Sequence, residues 1–171
     1  MNLYETGRLL SEYLLFHYGE ADEILPWPGG PREALDFAVR TVSHFAAGKV
    51  GRALDLGCAV GRSAFELSRE AEQVIGIDFS HRFIEAAAAL AEGQPLEYLR
   101  QDEIPAVTHL TAKLPAGIEA SRVHFEQGDA MNLRADLGTF DRVHAANLLC
   151  RLPRPQDLLK RLPELLVPGG E

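Results

Sequence analysis

Residues 55–61 read Asp55-Leu56-Gly57-Cys58-Ala59-Val60-Gly61 and form a glycine-rich turn between a strand-like and a helix-like segment. The apolar run 53–56 predicts a strand that ends in the turn, and the pattern over 63–70 predicts the helix that follows it. Glycines let the backbone reverse sharply and approach a ligand closely, while the start of the helix offers free N–H groups. Tight strand-to-helix turns also use glycine for geometry alone, so the surroundings must decide whether this turn binds a ligand.

The segments beyond the turn alternate between strand-like and helix-like patterns. Apolar runs predict strands over 74–77, 123–125 and 141–146, and helical patterns cover 80–93 and 157–166. Such alternation implies parallel strands joined by right-handed crossovers, hence a doubly wound α/β sheet in the order third, second, first, fourth strand. Ligands of these sheets bind beyond the carboxyl ends of the strands.

Two further acids follow strands of this predicted sheet. Asp78 ends the second strand, where a carboxylate can accept both hydroxyl groups of a ribose. Its plainer role would be a solvated helix cap. Asp129 follows the third strand. One crevice would then contain the glycine turn, which a ligand can approach closely, together with Asp78 as acceptor for a diol and Asp129 as a third polar group. A nucleoside ligand requires such a set.

A dinucleotide cofactor fits the turn less well than a nucleoside with a positively charged group. Binding of pyrophosphate uses the pattern Gly-x-Gly-x-x-Gly, but the second glycine is Ala59 here and Gly61 comes one residue early. Asp55 lies beneath the turn, where a carboxylate suits an ammonium group and suits a pyrophosphate badly. The residues therefore favour a sulfonium cofactor over a nicotinamide one.

The spacing of these motifs resembles the class I S-adenosylmethionine-dependent methyltransferases, from about Arg52 to the end of the chain. The resemblance implies a Rossmann-like fold and S-adenosylmethionine as cofactor. It implies that the glycine turn borders the methionine part, that Asp78 takes the ribose hydroxyls and that Asp129 meets the adenine. The cofactor-binding residues that it implies are Asp55, Gly57, Cys58, Ala59, Gly61, Asp78, Phe79, Asp129, Ala130, Asn147 and Leu148.

The amino-terminal third resembles a narrower family. Tyr4-Glu5-Thr6, residues 10–19 (LSEYLLFHYG), 25–28 (LPWP) and 30–37 (GPREALDF) look like the mercaptohistidine N-methyltransferases of ovothiol biosynthesis. These occur as the carboxy-terminal domain of the sulfoxide synthase that makes 5-thiohistidine, and as separate chains. The resemblance implies methyl transfer to an imidazole nitrogen of 5-thiohistidine, which gives ovothiol A. One departure is Ala38, where the family pattern has proline.

Residues 1–50 are predicted to form a helical cap on the substrate side of a cofactor-binding core over 52–171. Helical patterns cover 4–18 and 32–47, and the proline- and glycine-rich stretch 26–31 between them is a loop.

Three side chains of this cap are candidate site residues. Tyr13 and His17 lie four residues apart on one helical face and could hold the tautomer of a substrate imidazole, although packing in the core would explain the same spacing. Arg40 could pair with the carboxylate of the cofactor or of an amino-acid substrate, and we favour the cofactor; a surface ion pair is the alternative. Displacement at a sulfonium methyl requires orientation and exclusion of water, and no acid–base pair is compulsory.

Residues 94–121 form an insertion between the second helix and the third strand. The runs 96–100 and 107–111 predict a hairpin, which would line the substrate mouth or serve as a dimer contact.

Composition excludes several function classes. The 171 residues carry 17 Lys and Arg against 25 Asp and Glu, a net charge of −8, so we expect no nucleic-acid partner. No apolar run approaches the roughly 20 residues of a membrane span, and the start of the chain lacks the pattern of a secretory signal. A cytoplasmic protein with a small-molecule substrate is therefore expected. Cys58 and Cys150 are predicted to be buried apolar side chains, without a disulfide or a metal site.

Residues 167–171 read Val-Pro-Gly-Gly-Glu, a turn that normally leads into a fifth strand. The class I resemblance implies further strands, so the single domain 1–171 is expected to be truncated after its fourth strand and the helix that follows. That strand would present an unpaired edge, and a homodimer or a missing carboxy-terminal segment would complete the sheet. Two other interpretations stay open: a methyltransferase for another small molecule, and a non-catalytic module that binds the cofactor or a partner.

Overall fold

The computed structural model describes residues 3–171, and Met1 and Asn2 lie outside the described residues. Helices precede the first strand, and strands and helices alternate after it. In chain order the elements are α1 (Gly7–Tyr18), α2 (Ala21–Ile24), α3 (Phe37–Val42), β1 (Val50–Leu56), α4 (Arg62–Leu67), β2 (Ala71–Asp78), α5 (His81–Ala91), β3 (Leu96–Gln101), β4 (Val107–Ala112), β5 (Val123–Gln127), β6 (Arg142–His144) and α6 (Pro155–Leu165).

Four of the strands form a parallel sheet in the order β5, β2, β1, β6. The predicted doubly wound α/β fold and its strand order are therefore confirmed. In this register Asp55 of β1 lies beside Gly76 of β2 on one side and beside His144 of β6 on the other. The carboxyl ends of all four strands meet at one edge of the sheet.

Apolar side chains cover both faces of the two central strands. On one face, Leu54 and Leu56 pack with Phe140 and with Leu158 and Leu165 of α6. On the other face, residues of β1, β2 and α4 form a second cluster of small and branched side chains. A parallel sheet buried on both faces requires such continuous apolar strands, which is why residues 53–56 and 74–77 read as strands without alternation.

The predicted hairpin of the insertion is present as a separate antiparallel pair, β3 and β4. Tyr98 and Ala112 are buried in a cluster with Leu14 of α1 and Phe83 of α5. The Leu99 backbone N–H also donates to the Ser11 hydroxyl of α1. The hairpin therefore supports the first helix from outside the parallel sheet.

The second amino-terminal helix is much shorter than predicted. In place of one helix over 32–47, the chain has a 3-10 turn at Arg32–Ala34, a break, and then α3. Asp36 interrupts the helix because its φ of 54° lies in the left-handed region. The Arg40 guanidinium stabilises this break by donating to the backbone oxygens of Leu35 and Ala34, at 2.9 and 3.1 Å.

The first helix matches its prediction more closely. It begins at Gly7, three residues later than expected, because Thr6 caps it by accepting the Leu9 N–H at 3.3 Å. A 3-10 turn at Leu3–Glu5 precedes the cap.

The two cysteines differ in environment. Cys58 is fully buried as predicted, but Cys150 is exposed, so the prediction for Cys150 is wrong. Cys150 lies in a 3-10 turn at Leu149–Arg151, where its thiol donates to the Asn147 backbone oxygen. This turn projects beyond the end of β6 and does not pack into the core.

The edge of the fourth parallel strand has a backbone partner at its start. The Glu171 N–H donates to the Asp141 oxygen at 2.9 Å, and the Val143 N–H donates to the Glu171 oxygen at 2.8 Å. The predicted unpaired edge is therefore wrong between Asp141 and Val143. Separately, none of the helices within residues 3–171 is long and apolar enough to cross a bilayer.

We expect Gly61→Ala to destabilise the fold more than Gly93→Ala does. Both glycines have a left-handed φ, 86° and 79°, which costs an alanine about 1 to 2 kcal/mol. A Cβ on Gly61 would lie 2.7 Å from the Phe125 ring and 2.9 Å from Ala87, whereas a Cβ on Gly93 would meet no atom within 4 Å. Overpacking adds about 1 to 3 kcal/mol at Gly61 alone. Urea unfolding measures the difference, and equal losses in the two variants would contradict this account.

Candidate functional site

A cavity of about 570 Å³ lies at the carboxyl edge of the parallel sheet. Residues at the ends of β1, β2, β5 and β6 line it, and residues of the amino-terminal helices α1 and α3 complete its wall. The structure brings together at this cavity ten of the residues predicted from sequence: Tyr13, His17, Gly57, Ala59, Asp78, Phe79, Asp129, Ala130, Asn147 and Leu148.

The glycine turn is tied to the end of β2. The N–H groups of Gly57 and Cys58 donate to the Ile77 oxygen at 2.8 and 3.1 Å, and the Ala59 N–H donates to Asp78 Oδ2 at 2.9 Å. Ala59 has a φ of 48°, a left-handed conformation that costs a non-glycine residue about 1 to 2 kcal/mol. The charge-assisted hydrogen bond to Asp78 offsets part of this cost.

Asp78 has oxygen lone pairs left for a ligand. Its Oδ1 accepts the Ser80 N–H at 2.9 Å and its Oδ2 accepts the Ala59 N–H, which uses two of about four acceptor positions on a carboxylate. Burial raises the pKa of Asp78, and its hydrogen bonds to the backbone oppose this shift. Beside it, Phe79 is 58% exposed and lines the cavity. An acceptor for hydroxyl groups and a free aromatic face thus lie together.

Asp129 lies on the β5 side of the same cavity. Its Oδ1 accepts the Met131 N–H at 2.9 Å, which holds the loop after β5 in a local turn. Gly128, Ala130 and Met131 line the cavity on either side of it. The third acid predicted from sequence therefore faces the same space as Asp78.

Asp55 and His144 form a buried pair below the turn. His144 Nδ1 lies 2.8 Å from Asp55 Oδ1, and His144 Nε2 lies 3.0 Å from the Thr41 hydroxyl of α3. Burial alone would lower the pKa of His144, but the charge and the hydrogen bond of Asp55 outweigh it and raise the pKa. Sequence analysis missed His144 and Thr41, because the contact of His144 with Asp55 spans about half of the chain and depends on the sheet register, and Thr41 joins the pair only through His144.

Two buried polar atoms of residues 3–171 have no hydrogen-bond partner, Asp55 Oδ2 and His17 Nδ1. Buried polar atoms without partners are uncommon, and at a cavity they indicate where a ligand would bond. Burial, assisted by the charge of Arg62, lowers the pKa of His17 to about 4, while Asp55 opposes the shift. His17 is therefore neutral at pH 7.

Tyr13 and His17 both pack and line the cavity. Their rings stack at 5.8 Å, and the Tyr13 ring lies 4.5 Å from Phe83 of the core. Hydrogen bonds fix the end of α1 to the glycine turn: the Tyr18 hydroxyl donates to the Val60 oxygen at 2.7 Å, and Arg62 donates to the His17 oxygen at 3.0 Å. Packing and a position at the site are thus not exclusive alternatives for this helix.

Four of the predicted residues do not line the cavity: Arg40, Asp55, Cys58 and Gly61. The Arg40 guanidinium donates to backbone oxygens just before the start of α3. Its position therefore does not support a role in binding the cofactor carboxylate. Cys58 is fully buried, and burial raises its thiol pKa well above the ordinary value. Gly61 packs against Phe125 and Ala87. The hairpin over 94–121 does not contribute to the wall.

No group of three or more His, Cys, Asp or Glu within the described range is placed to hold a metal ion. The chemistry of the cavity wall is that of carboxylates, aromatic rings and one arginine, Arg151, which the sequence analysis also missed.

His17 is expected to make the fold sensitive to acid. In the unfolded chain it binds a proton near pH 6.5, but in the folded protein only near pH 4. The unfolded state therefore binds more protons between these values, and the free energy of unfolding falls as the pH falls from 6.5 towards 4. His17→Gln has no such titration, so its free energy of unfolding should fall less on acidification, by up to about 3 kcal/mol, the equivalent of the His17 pKa shift. Urea unfolding at about pH 4.5 and about pH 7 measures it.

His144 provides the contrast, because its pKa is raised. Its contribution to stability is present below the unfolded pKa of 6.5 and is lost as the pH rises through the folded value. The difference in free energy of unfolding between the wild type and His144→Gln should narrow as the pH rises, and urea unfolding at several pH values measures it.

For His17, the contradicting outcome is a free energy of unfolding that depends on pH in the same way in the wild type and in His17→Gln. That result would contradict the neutral, buried state of His17.

Comparison with known proteins places this chain in a family. The model of the family described as "Methyltransferase domain" matches residues 54–171, more than half of the chain. A curated relative, the ubiquinone biosynthesis O-methyltransferase of Chromobacterium violaceum, is 29% identical over 138 residues, which cover 80% of this chain and 47% of the relative. The chain spans about half the length of the curated relatives that it matches.

Solved structures share the fold at low identity. The [4+2]-cyclase SpnF is 24% identical with a TM-score of 0.61, and the match covers 98% of this chain and 57% of the cyclase. The glycopeptide N-methyltransferase MtfA, solved in complex with S-adenosylmethionine, is 23% identical with a TM-score of 0.54 over 77% of this chain and 50% of its own. The family match supports S-adenosylmethionine as the cofactor of the domain. The chain belongs to the methyltransferase-domain family, with the class I, Rossmann-like fold that its strand order predicts.

Proposed function

We propose that this chain transfers a methyl group from S-adenosylmethionine to an imidazole nitrogen of 5-thiohistidine. The observation that carries the cofactor part is a pair of carboxylates at the glycine turn: Asp78 lines the cavity and has free lone pairs, and Asp55, buried beneath the turn, has an unpartnered Oδ2. A ribose diol and an ammonium group are the complements of these two acceptors.

The residues present fit S-adenosylmethionine. Asp78 would accept its ribose hydroxyls, and Asp55 Oδ2 would accept its ammonium group. Phe79 and Asp129 would hold its adenine, with Ala130 beside them, while Gly57 and Ala59 leave room along the turn. When bound, the cofactor supplies an electrophilic methyl on a sulfonium. Asn147 and Leu148 border the same space after β6 and are proposed to face that group.

The acceptor side is proposed to be the wall formed by α1. A nucleophilic nitrogen must present a lone pair, so the imidazole of the acceptor must be held in one tautomer. His17 is neutral and its Nδ1 has no partner, so it can form one hydrogen bond with the acceptor ring. Tyr13 and Phe16 add aromatic surface that excludes water. Placement in this wall can supply most of the acceleration, without a general base.

The support for 5-thiohistidine is the likeness of residues 4–37 to the mercaptohistidine N-methyltransferases. The relatives found by comparison do not select an acceptor, since one acts in ubiquinone biosynthesis and one neighbour is named a cyclase. The cytoplasmic setting, the division into cap and core, and completion of the sheet by a second copy or a further segment all stay predictions.

Asp78→Asn should weaken binding of S-adenosylhomocysteine. Loss of a charge-assisted acceptor costs about 1.5 to 3 kcal/mol, or about 10- to 150-fold in Kd. Isothermal calorimetry measures it. Asp136→Asn is the matched control, because Asp136 is an exposed acid paired with Arg134 and does not line the cavity. An unchanged Kd in a folded Asp78→Asn variant would show that this acid only holds the turn.

The acceptor is tested by mass analysis with 5-thiohistidine and histidine. We expect a gain of one methyl group on 5-thiohistidine and much slower turnover of histidine, because residues 4–37 resemble enzymes whose acceptor is the sulfur-bearing ring. Tyr13→Phe and His17→Gln should both slow the reaction while leaving the Kd of S-adenosylhomocysteine within about twofold. Full turnover in both variants would assign the stacked pair to packing. No methyl gain, with binding of S-adenosylhomocysteine intact, would remove this acceptor.

A further inference from the structure

Arg151 lies in the cavity wall and has the opposite charge to the acidic residues that share the wall. It lies in the 3-10 turn Leu149–Arg151, directly after the segment of Asn147 and Leu148 that borders the cavity. The ionisable acids of the wall are Glu12, Asp78 and Asp129, and Arg151 is its single Lys or Arg side chain. A ligand that fills this cavity therefore meets one fixed positive charge.

The guanidinium of Arg151 has no hydrogen bond or ion pair with any residue in the described range 3–171. The other arginines of that range each bond a carboxylate or a backbone oxygen; Arg62, for example, holds Glu66 and the His17 oxygen. Arg154, three residues further on, pairs with Asp157 at 2.7 Å. An arginine carries five donors in a planar fork that matches a carboxylate. Arg151 thus offers charged donors to a ligand in the cavity.

Arg151 lines the same cavity as Tyr13 of α1, the helix proposed to face the acceptor. Burial raises the pKa of Tyr13, and among the charges Arg151 lowers it while Asp78 raises it. The charges that act on His17 are instead Asp55 and Arg62, which lie at the glycine turn. Arg151 therefore acts near Tyr13 of α1.

We propose that Arg151 binds a carboxylate of the methyl acceptor, so that the site selects small acceptors with a carboxylate over their analogues without one. The inference rests on the proposed function and adds the substrate class to it. A carboxylate held at Arg151 would fix one end of the acceptor, and the wall of Tyr13 and His17 would fix its ring. Two fixed points orient the reacting nitrogen, which is what an in-line displacement requires.

The test compares two acceptors that differ only in the carboxylate, 5-thiohistidine and its decarboxylated amine, 5-thiohistamine. KM and kcat are measured with saturating S-adenosylmethionine for wild type, Arg151→Gln and Arg151→Lys, together with the Kd of S-adenosylhomocysteine. Arg154→Gln is the matched control, because Arg154 is an exposed arginine outside the cavity wall.

We expect Arg151→Gln to raise the KM for 5-thiohistidine by about 5- to 20-fold, since the pair is partly exposed. The KM for 5-thiohistamine and the Kd of S-adenosylhomocysteine should stay within about twofold, and Arg151→Lys should restore part of the affinity. An equal rise in KM for both acceptors would overturn the inference and leave the proposed function intact. A weaker Kd for S-adenosylhomocysteine would overturn it too, by assigning Arg151 to the cofactor carboxylate. Wild type that binds S-adenosylhomocysteine but methylates neither acceptor would overturn the proposed function, and this inference with it.

Discussion

The hydrogen bond from the Ala59 N–H to Asp78 determines the geometry of the site. It joins the left-handed turn after β1 to the end of β2, and the two N–H groups bonded to the Ile77 oxygen reinforce it. The same carboxylate accepts the Ser80 N–H at the start of α5. One acid therefore positions the turn and a helix, and still has lone pairs for a ligand. Because these partners hold the Asp78 carboxylate in place, its free lone pairs need no reorganisation on binding.

The amino-terminal segment is fastened across the cavity at both of its ends. Ser80 donates to the Tyr4 oxygen, and Glu5 accepts the N–H of His81 at the start of α5. At the other end of α1, Tyr18 and Arg62 tie the helix to the glycine turn. Residues 54–171 match the methyltransferase family, whereas Tyr13 and His17 come from the segment before that region. The two proposed acceptor-side residues therefore lie outside the region that matches the family.

Sequence predicted those features that depend on local pattern. Continuous apolar runs identified β1 and β2, and turn residues identified the glycine loop, because both signals lie within a few neighbouring residues. The predicted helix over 32–47 failed because a left-handed Asp36 interrupts it, and the contacts of Arg40 that stabilise the interruption cannot be read from spacing. His144 escaped notice because a lone histidine in a strand has no signature. Its role appears only once parallel pairing places it beside Asp55.

The two histidines at the cavity show how position determines the charge of one residue type. His17 lies where burial and the nearby Arg62 disfavour a proton, and its folded state resists protonation down to about pH 4. His144 lies in hydrogen-bond contact with Asp55, and the carboxylate stabilises its protonated form. By linkage, the contribution of His17 to stability falls as the pH drops below 6.5, and that of His144 falls as the pH rises above it. Their combined contribution is therefore largest near the ordinary pKa of histidine. At that pH a neutral imidazole lies in the α1 wall and a charge-balanced pair lies beneath the glycine turn, with Asp55 Oδ2 still without a hydrogen-bond partner.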